Sequence, residues 1–212
     1  MIELYYMPGA ASLAPHCVLE EAGAEYRLVR VVKADGRVTE PVGYERLNPH
    51  NRVPTLVDGS LVLYESAACV MHLSDSFPSA GLAPALGTPE RALWYRWLTY
   101  LTNTVQPAFL SCFYPERYTA DAAGAAGVKE QAEDGLVRMR AFLTGELAAR
   151  GPYLLGERLT SADFYLFMLT RWGRRLAEKW WDEPVLGAHY RLVSERPAVQ
   201  RVREQEGLDD ST

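Results

Sequence analysis

A chain of 212 residues has room for one large domain or two small ones, and a hydrophobic fraction of 48% is enough for a packed core. The net charge of −5 argues against a large basic surface for nucleic acid, and no apolar run approaches the length of a membrane span. The opening residues, Met1-Ile2-Glu3-Leu4-Tyr5, have no basic segment and carry an early acid, so they read as a strand and not as a leader peptide. Cys17, Cys69 and Cys112 are odd in number, far apart and never C-x-x-C, so they read as buried free thiols in a reducing compartment. His16, His50, His72 and His189 show no metal-ligand spacing on one helix face, and no metal is expected.

The first element is a strand over 2–7, broken by Pro8-Gly9. Ser12 can cap a helix running to about Ala22, with Gly23 as its stop and Pro15 tolerated in the first turn. Residues 26–32 are β-rich, which completes a β-α-β unit with parallel strands. The stretch 33–52, with Gly36, Pro41, Gly43, Asn48 and Pro49, reads as a long loop with a helical turn near 42–47. Residues 54–57 and 61–64 flank Asp58-Gly59 and give a hairpin, followed by a helix from Ser66 to Phe77. The order β-α-β then β-β-α is thioredoxin-like.

The Pro-, Gly- and Ala-rich segment 79–88 reads as a linker between a domain over 1–78 and an all-helical domain over 89–212. Leu93, Trp97, Leu101 and Val105 recur every four residues and make one apolar helical stripe, which Pro107 should kink or end. Further helices are expected over 125–150, 160–181 and 184–206, punctuated by Pro184 and Pro197, before a short acidic end at Asp209-Asp210. Thr160-Ser161-Ala162-Asp163 is a capping box with Leu159 and Phe164 placed as its hydrophobic staple, a folding element and not a catalytic one. The five tryptophans read chiefly as core, although Trp180 and Trp181, being adjacent, cannot share one helix face.

Four segments in fixed order strongly resemble the glutathione transferase superfamily, most closely its bacterial beta class. They are Tyr5-Tyr6-Met7-Pro8-Gly9-Ala10-Ala11-Ser12, Asn48-Pro49-His50-Asn51-Arg52-Val53-Pro54-Thr55, Leu63-Tyr64-Glu65-Ser66 and the capping box. The resemblance spans the whole chain. It implies an α/β thioredoxin-like N-terminal domain followed by an all-α helical bundle, with glutathione as co-substrate. It also implies that the Val53-Pro54 bond is cis and that the Val53 backbone pairs with the cysteinyl backbone of the tripeptide as an added strand would. Ser66 is implied as donor to the γ-glutamyl carboxylate, beside any role as a helix cap, and Glu65 as partner of the α-ammonium. Arg52, His50 and Lys33 are the cations expected near the glycine carboxylate, with Arg52 favoured for its bidentate fork.

The chain departs from the class where the chemistry is carried out. Beta-class sequences usually have a cysteine where this one has Ala11, and a histidine where it has Gln106. Mixed-disulfide chemistry through a protein cysteine is therefore not expected at this site. Thiolate activation remains, with Ser12 as first candidate donor, Tyr6 as the competing strand tyrosine, and the backbone alone as a third possibility. The resemblance thus implies a cytoplasmic, homodimeric detoxification enzyme that adds glutathione to a small hydrophobic electrophile. The alternative is a protein of the same fold that binds glutathione or a protein partner and conjugates little.

Overall fold

The computed structural model describes residues 1–34 and 37–209; the loop residue Gly36 and the acidic Asp210 lie outside the described residues. The described chain forms two compact units, one of Met1–Pro84 together with the segment from Val193 onward, the other of Ala85–Leu192. This differs from the division by chain order expected at 78 and 89. The last helix belongs with the first eighty-odd residues and not with the helices that precede it.

The first unit is built on a four-stranded sheet of β1 (Ile2–Tyr6), β2 (Tyr26–Arg30), β5 (Thr55–Asp58) and β6 (Leu61–Tyr64), in the order β2-β1-β5-β6. β1 runs parallel to β2 and antiparallel to β5, and β5 and β6 form the expected hairpin. Helices α1 (Leu13–Glu21) and α2 (Ser66–Ser76) bury Leu13, Cys17, Val18, Cys69, Val70 and Leu73. Side chains alternate along β1. Tyr6 turns its ring toward His16 of α1, while Tyr5 faces Tyr44 in a second, smaller core with Val31.

The long loop expected over 33–52 holds more structure than the sequence suggests. β3 (Val32–Ala34) and β4 (Arg37–Glu40) form a separate antiparallel pair, and a 3₁₀ turn covers Tyr44–Arg46. Every residue of β3 is exposed, so these strands lack the apolar alternation that would reveal them in the sequence. The last helix, α8 (Pro197–Glu206), lies against α1. His16 and Glu206 meet at 2.8 Å with both side chains buried, Arg201 pairs with Glu20 at 2.7 Å, and Arg196 pairs with Glu21.

The second unit is helical: α3 (Pro89–Tyr100), α4 (Gln106–Phe113), α5 (Ala125–Arg150), α6 (Ser161–Trp172) and most of α7 (Pro184–Ser194). Pro107 does not end the first long helix. A π-helical stretch, Leu101–Val105, carries the chain from α3 into α4, with the Gln106 N–H bonded to the Leu101 carbonyl. A wider turn ahead of a proline relieves the clash its ring would make with the preceding turn. The capping box of α6 forms as expected, the Asp163 carboxylate accepting from the Thr160 N–H at 2.8 Å. Trp94, Trp97 and Trp180 are core residues. The indole N–H of Trp94 reaches Ser161 Oγ and that of Trp97 the Leu154 carbonyl. Trp180 is buried and Trp181 half-buried, which separates the adjacent pair as their positions required.

Candidate functional site

Strand register brings the site together. Tyr5 pairs with Thr55, and Thr55 with Tyr64, so the end of β1, the start of β5 and the end of β6 share one end of the sheet. The β1–α1 loop (Met7–Ser12), the Arg52-Val53-Pro54 segment and the Glu65-Ser66 junction all leave from that end. Residues far apart in sequence but named together in the sequence reading are thereby made neighbours. Lys33 is the exception in placement. It sits in the exposed β3–β4 pair, which follows β2, the strand at the opposite edge from β6.

The Val53-Pro54 bond is cis. The Val53 N–H and C=O take no hydrogen-bond partner among the described residues, while its side chain packs against the Tyr5–Tyr44 core. A buried polar cluster fixes the segment just before it. The Tyr44 hydroxyl donates to the Arg52 carbonyl at 2.6 Å, and Asn48 Nδ2 donates to the same oxygen at 2.8 Å. Both side chains also meet Thr55 Oγ1, at 2.7 and 3.2 Å, and Asn48 Oδ1 accepts from the His50 N–H at 3.0 Å. Sequence reasoning missed Tyr44, Asn48 and Thr55 as supports. Two of them fall inside the motif it quoted, but nothing in the sequence showed that they converge on one carbonyl. The Arg52 guanidinium is exposed and has no ion-pair partner among the described residues, and the His50 ring stands edge-on to Tyr64 at 5.8 Å.

At the β6–α2 junction Glu65 adopts φ 74°, ψ 112°, a left-handed conformation that a non-glycine residue rarely holds without a functional reason. Glu65, not Ser66, occupies the cap position, and Ser66 is the first residue of α2. The N–H groups of Ser66 and Ala67 belong to the unpaired first turn and have no acceptor among the described residues. The Ser66 hydroxyl is already engaged: it donates to the Ala11 carbonyl at 2.5 Å.

Ser12 does not cap α1 through its side chain. Its hydroxyl, wholly buried, lies 3.3 Å from both the N–H and the carbonyl of Met7 and so closes the base of the loop. Gly9, at φ 65°, donates its N–H to Glu206 Oε2 at 2.8 Å. Glu206 holds His16 with its other oxygen, and His16 Nε2 lies 2.9 Å from the Tyr26 hydroxyl. Burial, reinforced by the neighbouring Glu20 carboxylate, pushes the Tyr26 phenol far above its ordinary range. The Tyr6 hydroxyl and the Ala11 N–H take no hydrogen-bond partner among the described residues. Position 11 carries a methyl group, and the three cysteines are all buried free thiols. Burial raises Cys17 well above its usual value and raises Cys69 to about 12. The described residues hold no cluster of His, Cys, Asp and Glu suited to a metal ion, and none of their helices is long and apolar enough to cross a membrane.

Comparison with known proteins follows the same lines. Residues 1–75 match the family described as "Glutathione S-transferase, N-terminal domain", and residues 101–197 match "Glutathione S-transferase, C-terminal domain". The glutathione S-transferase GstA of Escherichia coli O157:H7 is 31% identical over 211 residues, covering 98% of this chain and 100% of that protein. Among solved structures, a sphingomonad glutathione S-transferase complexed with glutathione is 32% identical, with a TM-score of 0.85 over 98% of this chain and 100% of the other. A bacterial beta-class glutathione S-transferase from Sphingomonas chungbukensis is 31% identical, with a TM-score of 0.86 over 98% of this chain and 100% of the other. An unpartnered Val53 backbone, a strained Glu65 at a helix start and this likeness along the full chain agree: the protein belongs to the glutathione S-transferase family.

Proposed function

We propose that the protein binds glutathione at the shared end of the β1, β5 and β6 strands and activates its thiol for attack on a small hydrophobic electrophile. The observation that carries this reading is the convergence there of three unsatisfied groups: the Val53 backbone, the first-turn N–H groups of α2 and the N–H of Ala11. The Val53 N–H and C=O pair with the cysteinyl residue as a strand edge would. The N–H groups of Ser66 and Ala67, with the positive end of α2, hold the γ-glutamyl carboxylate, and Glu65 faces the α-ammonium. Arg52 pairs with the glycine carboxylate, with His50 and then Lys33 as the competing cations.

Thiol activation needs modest energies. Lowering a thiol from about 8.5 by about two units takes about 2.7 kcal/mol of preference for the thiolate. A hydrogen bond to an anion supplies about 1.5–3 kcal/mol, and a helix N-terminus about 0.3–1 kcal/mol more. The Ala11 N–H and the dipole of α1 are of that size together. Ser12, turned inward to Met7, holds the loop that presents them, and Tyr6 is the alternative donor. Cytoplasmic location, detoxification and homodimerisation belong to the same reading, together with a chain that has the beta-class framework without its active-site cysteine.

The test is retention on immobilised glutathione followed by a conjugation assay with a simple aryl halide. Retention with turnover is the expected result, and failure to bind glutathione would overturn the reading. A second reading is favoured by Ala11: a glutathione-binding protein with little conjugating activity, marked by retention without turnover across several classes of electrophile.

A further inference from the structure

Ala11 lies two residues before Leu13, the first residue of α1, and just outside the Ser12 cap, so the helix would reach its carbonyl only by extending one step back to the N–H four residues on. That residue is Pro15, which has no N–H to give. Among the described residues its one partner is the Ser66 hydroxyl, 55 positions away at the start of α2, at 2.5 Å. The other polar groups of the loop are held separately: Met7 by Ser12, the Gly9 N–H by Glu206, and the Ala10 N–H and carbonyl by Met7 and Leu13. Ser66 is therefore the tether of the Ala11–Ser12 peptide plane. A serine hydroxyl has one hydrogen, and here it is spent on the loop. Toward a bound anion Ser66 then has its backbone N–H to offer, beside that of Ala67.

We infer that Ser66 is a positioning residue for the β1–α1 loop: through the Ala11 carbonyl it fixes the Ala11–Ser12 peptide, the one that follows the free Ala11 N–H, and so ties the carboxylate end of the ligand site to the thiol end. This rests on the reading that glutathione binds at this sheet end. A carboxylate arriving at α2 is a stronger acceptor than the Ala11 carbonyl and competes for the same hydrogen, so occupancy of one end is felt at the other.

The experiment uses the full chain and the Ser66→Ala variant, with backbone amide exchange in the ligand-free protein, glutathione affinity by calorimetry, and the pH profile of turnover at saturating glutathione. Exchange at Leu13, whose N–H is held by the Ala10 carbonyl, is expected to quicken in Ser66→Ala. The acid limb of the pH profile is expected to move up by about one unit, which is about tenfold in rate below it. Ser66→Thr, which keeps the hydroxyl, should restore both. Pro15→Ala in the Ser66→Ala background gives residue 15 an N–H for the Ala11 carbonyl and should recover the exchange protection without recovering any ligand contact. Unchanged exchange in Ser66→Ala overturns the tether, whether or not the protein turns over substrate. Weakened affinity with an unmoved pH profile overturns the coupling and leaves Ser66 a ligand contact only. Wild-type protein that binds no glutathione overturns the functional reading, and the exchange measurements then decide the tether alone.

Discussion

At the scale of single residues, the hydroxyl groups of the candidate site are spent on backbone: Ser12 on Met7 and Ser66 on Ala11. The sequence offers Ser12 as a thiolate donor or a helix cap; its side chain does not cap α1, and its fully buried hydroxyl bonds both polar groups of Met7. Removing it leaves the Met7 N–H and carbonyl without that partner. Ser12→Ala is expected to cost about 1–3 kcal/mol of stability, measured by urea unfolding. It should also slow turnover by loosening the loop, so that rate and loop exchange change together. A sequence places a serine after Pro-Gly-Ala-Ala but does not say which way its side chain turns, because the partner is backbone and carries no residue signature. Cys17, Cys69 and Cys112 illustrate the opposite case. Their apolar neighbours in sequence already implied burial, and burial is what raises their thiols. A disulfide reagent at neutral pH should find no fast-reacting thiol in the native protein and three after denaturation. A rapid native thiol would contradict the burial of these side chains.

Among elements, the strands and helices with strong periodicity were legible and the weak or distant ones were not. The β1-α1-β2 unit, the β5–β6 hairpin and the capping box of α6 follow from local pattern alone. The β3–β4 pair is short and exposed, so no apolar alternation announces it. The return of α8 to α1 depends on side chains about 190 positions apart, among them His16–Glu206. Such pairing is invisible to any reading by window, and it puts α8 among the supports of the candidate site through the Gly9 N–H. Glu206→Ala leaves that N–H and the buried His16 without their acceptor and is expected to lower stability by about 1–3 kcal/mol. Calorimetric melting checks it, and unchanged melting would mean that α8 contributes nothing to the loop. The same cluster makes stability fall in alkali. The Tyr26 phenol stays protonated in the fold while its unfolded counterpart ionises near pH 10, so above that pH the unfolded state has lost a proton the native state keeps. The loss of stability with rising pH should be smaller in Tyr26→Phe, as read from unfolding midpoints at pH 9 to 11.

For the whole molecule, the remaining question is what covers the apolar side chains that the fold leaves in water. Within the helical unit, Tyr95 of α3 is 39% exposed, and Val137 and Phe142 of α5 are 53% and 45% exposed. Phe142 stands edge-on to Tyr100 at 5.3 Å and lies against Trp97, so its exposed ring continues an aromatic cluster whose other members are partly or wholly buried, while the Tyr95 ring lies against the buried Trp94. Large aromatic side chains exposed beside a packed cluster are characteristic of an interface core, where aromatic residues are enriched and charged ones depleted. With closed two-fold dimers the commonest assembly of soluble chains, a homodimer is the expected state. Sedimentation equilibrium should give about twice the chain mass of 23.7 kDa at micromolar concentration. Phe142→Glu places a charge in the proposed contact, where it would be buried without a partner, and should shift the mass toward that of a single chain. Circular dichroism should stay the same, since the side chain is not enclosed within its own subunit. Dilution should move the wild type the same way, because dissociation follows mass action. A wild-type mass near 23.7 kDa at every concentration would overturn the dimer, and a dimer unaffected by Phe142→Glu would place its interface on another face of the molecule.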